Sequence, residues 1–91
     1  MTDYVYIVEC ADGSLYTGYT TDVGRRVDEH NAGTGASYTA GRRPVEVRYV
    51  EYHPSRGAAL SREHEIKSLP RARKEQLVPD GDDRVGVAFD P

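Results

Sequence analysis

Tyr4-Val5-Tyr6-Ile7-Val8-Glu9-Cys10-Ala11-Asp12-Gly13-Ser14-Leu15-Tyr16-Thr17-Gly18 is the stretch from which the fold can be read. Tyr4 to Cys10 is β-branched, aromatic and apolar, Ala11-Asp12-Gly13-Ser14 has turn chemistry, and strand-like composition resumes from Leu15 to Thr20. This predicts a β-hairpin whose loop length decides which side chains share a face. A two-residue Asp12-Gly13 turn pairs Glu9 with Tyr16 and puts Tyr6 and Tyr16 on opposite faces. A three-residue Ala11-Asp12-Gly13 loop, with Gly13 in a left-handed bulge position, pairs Val8 with Tyr16 and Tyr6 with Gly18. Both tyrosines then share a face, and Gly18 leaves room opposite Tyr6 for a ligand or another backbone.

Beyond the hairpin, Thr20-Thr21-Asp22 offers N-cap candidates and Val23 with Val27 an apolar pair, predicting a helix over 22–31 that ends at Asn31 to Gly35. Ala32 to Arg43 is rich in Gly, Ser and Thr and reads as a long loop closed by Pro44. A third strand is expected from Val45 to Tyr52, with Val45, Val47 and Tyr49 alternating against Glu46 and Arg48. Ser55 caps a helix to about Leu69, and a short basic helix follows from Pro70 to about Leu77. The element order is β-β-α-β-α-α, an α+β chain, with one domain over 1–78 and an acidic, mobile tail over 79–91.

With 91 residues the chain fits one domain, since halves would be too small to bury stable cores. The single cysteine, Cys10, makes no internal disulfide, and no run approaches a membrane span of about 18–20 apolar residues. A cytoplasmic location is expected. The net charge of -3 argues against a nucleic-acid partner until its distribution is considered. Asp80, Asp82, Asp83 and Asp90 stand in the tail against Arg84, so the remaining chain has 11 acidic and 11 basic residues. Arginine outnumbers lysine 10 to 2, which suits two-point phosphate binding but is equally the bias of a salt-loving or GC-rich source.

Arg26 and His30 are four apart and point the same way on the flank of the Val23/Val27 stripe. The plain alternative is an ordinary arginine and a histidine placed where the helix dipole favours its charge. Glu63 is the sharper anomaly. Relative to it, Ala59 and Ile66 lie about 40° and 60° to one side and Leu60 about 60° to the other, so a carboxylate sits centrally on an apolar face. That placement is costly without a partner. A hard cation such as magnesium is one solution, and a salt bridge to Arg26 or Arg62 is the other. His30, His53, His64 and Cys10 lack zinc-site spacing. Gly33-Thr34-Gly35 lacks the context of a nucleotide-binding loop, and Cys10 has no identified base.

Together these residues resemble the GIY-YIG endonuclease superfamily. Tyr4-Val5-Tyr6 is similar to its first motif, with tyrosine for glycine and valine for isoleucine, and Tyr16-Thr17-Gly18 to its second, with threonine in the middle. Arg26, His30 and Glu63 follow where the family carries its catalytic arginine, a helix-borne histidine or tyrosine, and its metal-binding glutamate. The likeness runs from Tyr4 to Leu77. It implies a three-stranded antiparallel sheet flanked by helices and a divalent-metal-dependent endonuclease acting on DNA in repair or recombination. In that reading Tyr6, or else Tyr16, activates water, with Arg26 and the metal favouring phenolate and Arg26 also clamping the phosphate. His30 assists a tyrosine, and Glu63 holds one Mg2+ or Mn2+. Arg42, Arg43, Arg71, Arg73 and Lys74 are candidates for contacts to a nucleic-acid backbone, with a solvated surface as the plain alternative. The competing functions are a binding module without turnover, or an adaptor for a repair protein.

Overall fold

The computed structural model describes residues 2–78; the tail and the domain boundary expected at 79–91 lie outside the described residues. Strands β1 (Asp3–Glu9) and β2 (Leu15–Thr20) form the predicted hairpin. Val8 pairs with Tyr16 and Tyr6 with Gly18, the register of a three-residue loop. Gly13 makes that loop possible, at φ 85. Its N–H donates to the Cys10 carbonyl at 2.9 Å, and the Cys10 N–H donates to the Ser14 carbonyl at 2.8 Å. Only glycine enters this left-handed region without steric cost.

The third strand, β3 (Glu46–His53), pairs antiparallel with β1, giving the order β2-β1-β3. Central β1 is therefore covered on both sides, and Val5, Tyr6, Ile7 and Val8 are buried. Tyr6, Val8, Cys10, Val45 and Val50 form one core, joined by Val23 and Val27 of helix α1 (Val23–Ala32). Val5 and Ile7 form the other, with Ala59 and Ile66 of helix α3 (Arg56–Lys67) and with Leu77 of helix α4 (Arg71–Leu77). Asp22 caps α1 by accepting the Arg25 N–H at 3.1 Å, and Ser55 caps α3 by accepting the Ala58 N–H at 3.2 Å, as their positions predict.

Two expectations need correction. Tyr49 does not share a face with Val45 and Val47, because the pairing shifts between Ile7/Tyr49 and Val8/Val47, leaving Arg48 as an extra residue in β3. A bulge of this kind reverses the alternation beyond it. Tyr49 consequently joins the α3-side core while Val47 joins the α1-side core. The segment read as an unbroken loop holds a one-turn helix, α2 (Ser37–Ala40), so the order is β-β-α-α-β-α-α. Among the described residues no helix is long and apolar enough to cross a membrane.

Candidate active site

The site is built around the Tyr6 phenol. Tyr6 springs from the central strand and leans across the edge strand at Gly18, where a β-carbon would lie 2.3 Å from the Tyr6 hydroxyl oxygen. Glycine here is a spatial requirement. The Tyr6 hydroxyl lies 2.8 Å from His30 Nε2, and His30 Nδ1 lies 2.7 Å from Thr39 Oγ1. The Thr39 hydroxyl donates to the Ala36 carbonyl at 3.2 Å, so its oxygen is left to accept from Nδ1–H. This assigns the tautomer from the network: Nε2 carries the lone pair and accepts the Tyr6 proton. His30 and Thr39 are both completely buried. At Gly35 a β-carbon would come within 2.6 Å of His30 Nδ1, so this loop glycine lets the chain close over the imidazole.

Burial pushes the Tyr6 phenol up to about 12, outweighing the Arg26 hydrogen bond and charge that pull it down, while the Tyr16 and Glu63 charges push it further up. Arg26 alone therefore does not make Tyr6 a phenolate; at neutral pH the phenol is a proton donor to His30. Burial, with the Arg26 charge, holds His30 below the usual imidazole range, so the ring is neutral and ready to accept.

Arg26 is held in place from two sides, donating to Glu29 Oε1 at 2.9 Å and to the Gly35 carbonyl at 2.9 Å. Tyr16 packs its ring edge-on against His30, with centroids 5.3 Å apart, and stacks on Tyr38 at 5.8 Å. The structure thus brings Tyr6, Tyr16, Arg26 and His30 together, and Glu63 is near enough for its charge to act on the phenol. Neither anticipated arginine neutralises Glu63. Arg62 instead binds Glu51, its terminal nitrogen 2.8 Å away, and the Glu63 carboxylate pairs with Lys67 at 3.1 Å.

Among the described residues there is no group of three metal-binding His, Cys, Asp or Glu side chains. Glu63, with its side chain 18% exposed, supplies a single oxygen donor group reachable from water. Such a donor set fits a hard cation that keeps several waters and takes its other ligands from a phosphate substrate; it does not fit zinc.

The basic candidates have different partners. Arg42 and Arg71 both reach the hairpin turn, Arg42 to Asp12 at 3.0 Å and Arg71 to the Gly13 carbonyl at 2.7 Å. Arg43 donates to the Ala40 carbonyl at 2.9 Å, Arg73 is exposed, and Lys74 is half-buried, both on α4. The sequence assigns no role to Thr39, Gly35 or Glu29, which orient His30 and Arg26. A buried threonine in a one-turn helix leaves no periodic signal, whereas the spacing of Arg26 and Glu29 on one helix face was open to reading.

A family model described as the GIY-YIG catalytic domain matches residues 2–76. A UPF0213 protein of Haloquadratum walsbyi is 66% identical over 80 residues, 88% of this chain and 90% of that relative. A UPF0213 protein of Staphylococcus aureus is 53% identical over 75 residues, 82% of this chain and 92% of the relative. Among solved structures, the solution NMR structure of a UPF0213 protein from Bacillus halodurans is similar with a TM-score of 0.56 and 53% identity. That similarity covers 85% of this chain and 82% of the other.

Proposed function

The chain belongs to the GIY-YIG catalytic domain family, a nuclease family, and from that premise we propose that it is a divalent-metal-dependent endonuclease cleaving phosphodiester bonds in DNA, in repair or recombination. The observation that carries this reading is the convergence on one buried phenol of β1 of a neutral histidine acceptor and a fixed arginine from α1 and a carboxylate from α3.

Tyr6 and His30 act as a relay. The attacking water gives a proton to the Tyr6 oxygen as the Tyr6 hydroxyl proton passes to His30 Nε2, so Tyr6 never has to exist as free phenolate. Thr39 and Gly35 hold His30 in the accepting tautomer and position. Arg26 neutralises charge that develops on the phosphoryl oxygens, the role for which a preorientated cation is most effective. Glu63 would hold the magnesium or manganese ion, which when bound offsets charge on the phosphate and the leaving 3′ oxygen. Tyr16 fixes the outer side of the imidazole through its edge-on contact.

Cleavage of supercoiled plasmid and of branched DNA with manganese tests the reading, with Glu63→Ala and Arg26→Ala as comparators. The native protein is expected to cut and both variants to fall by about a hundredfold or more. Equal cleavage by all three proteins would overturn it.

A further inference from the structure

We propose that the outer face of the Arg42 guanidinium is a stacking shelf for one unpaired nucleobase, continued inward by Tyr38 and Tyr16 to the Tyr6–His30 site. The inference rests on the nuclease reading and deepens it by naming what the protein grips beside the reacting phosphate. The rings of Tyr16 and Tyr38 are stacked at 5.8 Å with 20° between their planes, and the Arg42 guanidinium carbon sits 3.9 Å over the Tyr38 ring. His30, Tyr16, Tyr38 and Arg42 therefore form a ladder from the buried relay to the surface. Its outer end is open: Tyr38 is 38% exposed and so is the Arg42 side chain.

The hydrogen bonds of Arg42 decide between a phosphate contact and a base contact. Its Nε donates to Asp12 Oδ2 at 3.0 Å and one terminal nitrogen donates to the Tyr38 carbonyl at 2.7 Å. Two-point phosphate binding uses either Nε with a terminal nitrogen or both terminal nitrogens, and each of those edges has one member engaged. Asp12 also offsets the charge that a phosphate would seek. What Arg42 retains is a flat, fixed cationic face, and guanidinium planes and aromatic rings are the groups on which unstacked bases lie. A base inside a duplex is stacked on both sides, so the shelf selects an unpaired one.

The test is equilibrium binding of labelled single-stranded DNA oligonucleotides, each with one abasic position, in EDTA so that no strand is cut. For the native protein, one abasic position is expected to weaken binding by about fivefold to a hundredfold, the range for loss of one stacked base. Arg42→Ala and Arg42→Lys are both expected to lose that dependence and to bind every oligonucleotide as the native protein binds the abasic one. Lysine keeps the charge and discards the plane. Native-like base dependence in Arg42→Lys, or uniform abasic responses in the native protein, would overturn the shelf while leaving nucleic-acid binding intact. No binding by the native protein would overturn the shelf and the nucleic-acid reading together.

Discussion

Each face of the sheet holds a tyrosine, buried Tyr6 and half-buried Tyr49, whose phenol is pushed up to about 12, mainly by burial, yet the two have different partners. On the α3 face, Tyr49 donates to Glu51 at 2.5 Å, and the same carboxylate receives Arg62 at 2.8 Å and faces His53 Nε2 at 2.9 Å. That network is closed. Glu51 is held below the usual carboxylate range although its burial works the other way, because Arg62, Tyr49 and His53 hydrogen-bond to its charged form. Such a carboxylate has little appetite for a further proton. On the α1 face the acceptor is neutral His30, whose network ends in a backbone carbonyl and whose neighbour Tyr16 leads outward to exposed Tyr38. The raised tyrosine does not distinguish a structural site from a chemical one; the proton affinity and connections of its partner do.

This contrast can be broken most severely at Arg26 and Arg62. Arg26→Ala should lower the rate of DNA cleavage by about 10²–10³ with the fold retained, since an electrostatic donor is lost at the reacting charge. Arg62→Ala should instead register in urea unfolding as a loss of about 1.5–3 kcal/mol, the worth of charged hydrogen bonds to a half-buried partner. Reversal of these two phenotypes would mean that the chemical and structural faces have been exchanged.

Gly18→Ala sharpens the comparison further, because the new β-carbon would meet the Tyr6 hydroxyl at 2.3 Å and drive the ring off His30. A stability loss of about 1–3 kcal/mol is expected, together with loss of cleavage, whereas Gly57→Ala on α3 meets nothing within 4 Å and should leave cleavage unchanged and raise stability by about 0.4–1 kcal/mol. Urea denaturation and the plasmid assay on both variants check this.

The smallest effect is the pH dependence of stability. His30 has a folded pKa below its ordinary value of 6.5, so the unfolded chain binds more protons and stability is lost as pH falls from about 6.5 through the folded pKa. The lowered carboxylates Asp12 and Glu51 lose their contribution only as pH falls below their ordinary values of 3.8 and 4.5. The free energy of unfolding measured from pH 7 to 5 should therefore decline in the native protein and be flatter in His30→Gln; identical slopes would remove His30 as the buried neutral group.

The two faces also differ in how far sequence reveals them. Gly13 and the strand lengths point to the hairpin register, and with it to Tyr6 and Tyr16 sharing a face, because turn chemistry is local. Asp22 and Ser55 mark their helices for the same reason. The β3 bulge is set by pairing with β1, so the transfer of Tyr49 to the opposite face, where it meets Glu51, was hidden. Thr39 was hidden because a single helical turn has no period, and its partner His30 is nine residues away across a glycine loop. The ladder to Arg42 spans three segments joined only by tertiary packing. What chain neighbours determine was legible, and what the packing of distant segments determines was not.

The most direct test of the Tyr6–His30 relay is single-turnover cleavage of branched DNA with manganese by the native protein and by Tyr6→Phe, His30→Gln and Tyr49→Phe. Removal of either relay member should slow cleavage by about 10²–10⁴, the range for general acid–base catalysis, while Tyr49→Phe should cut at the native rate. Native-rate cleavage by Tyr6→Phe, or equal losses in Tyr6→Phe and Tyr49→Phe, would contradict the account.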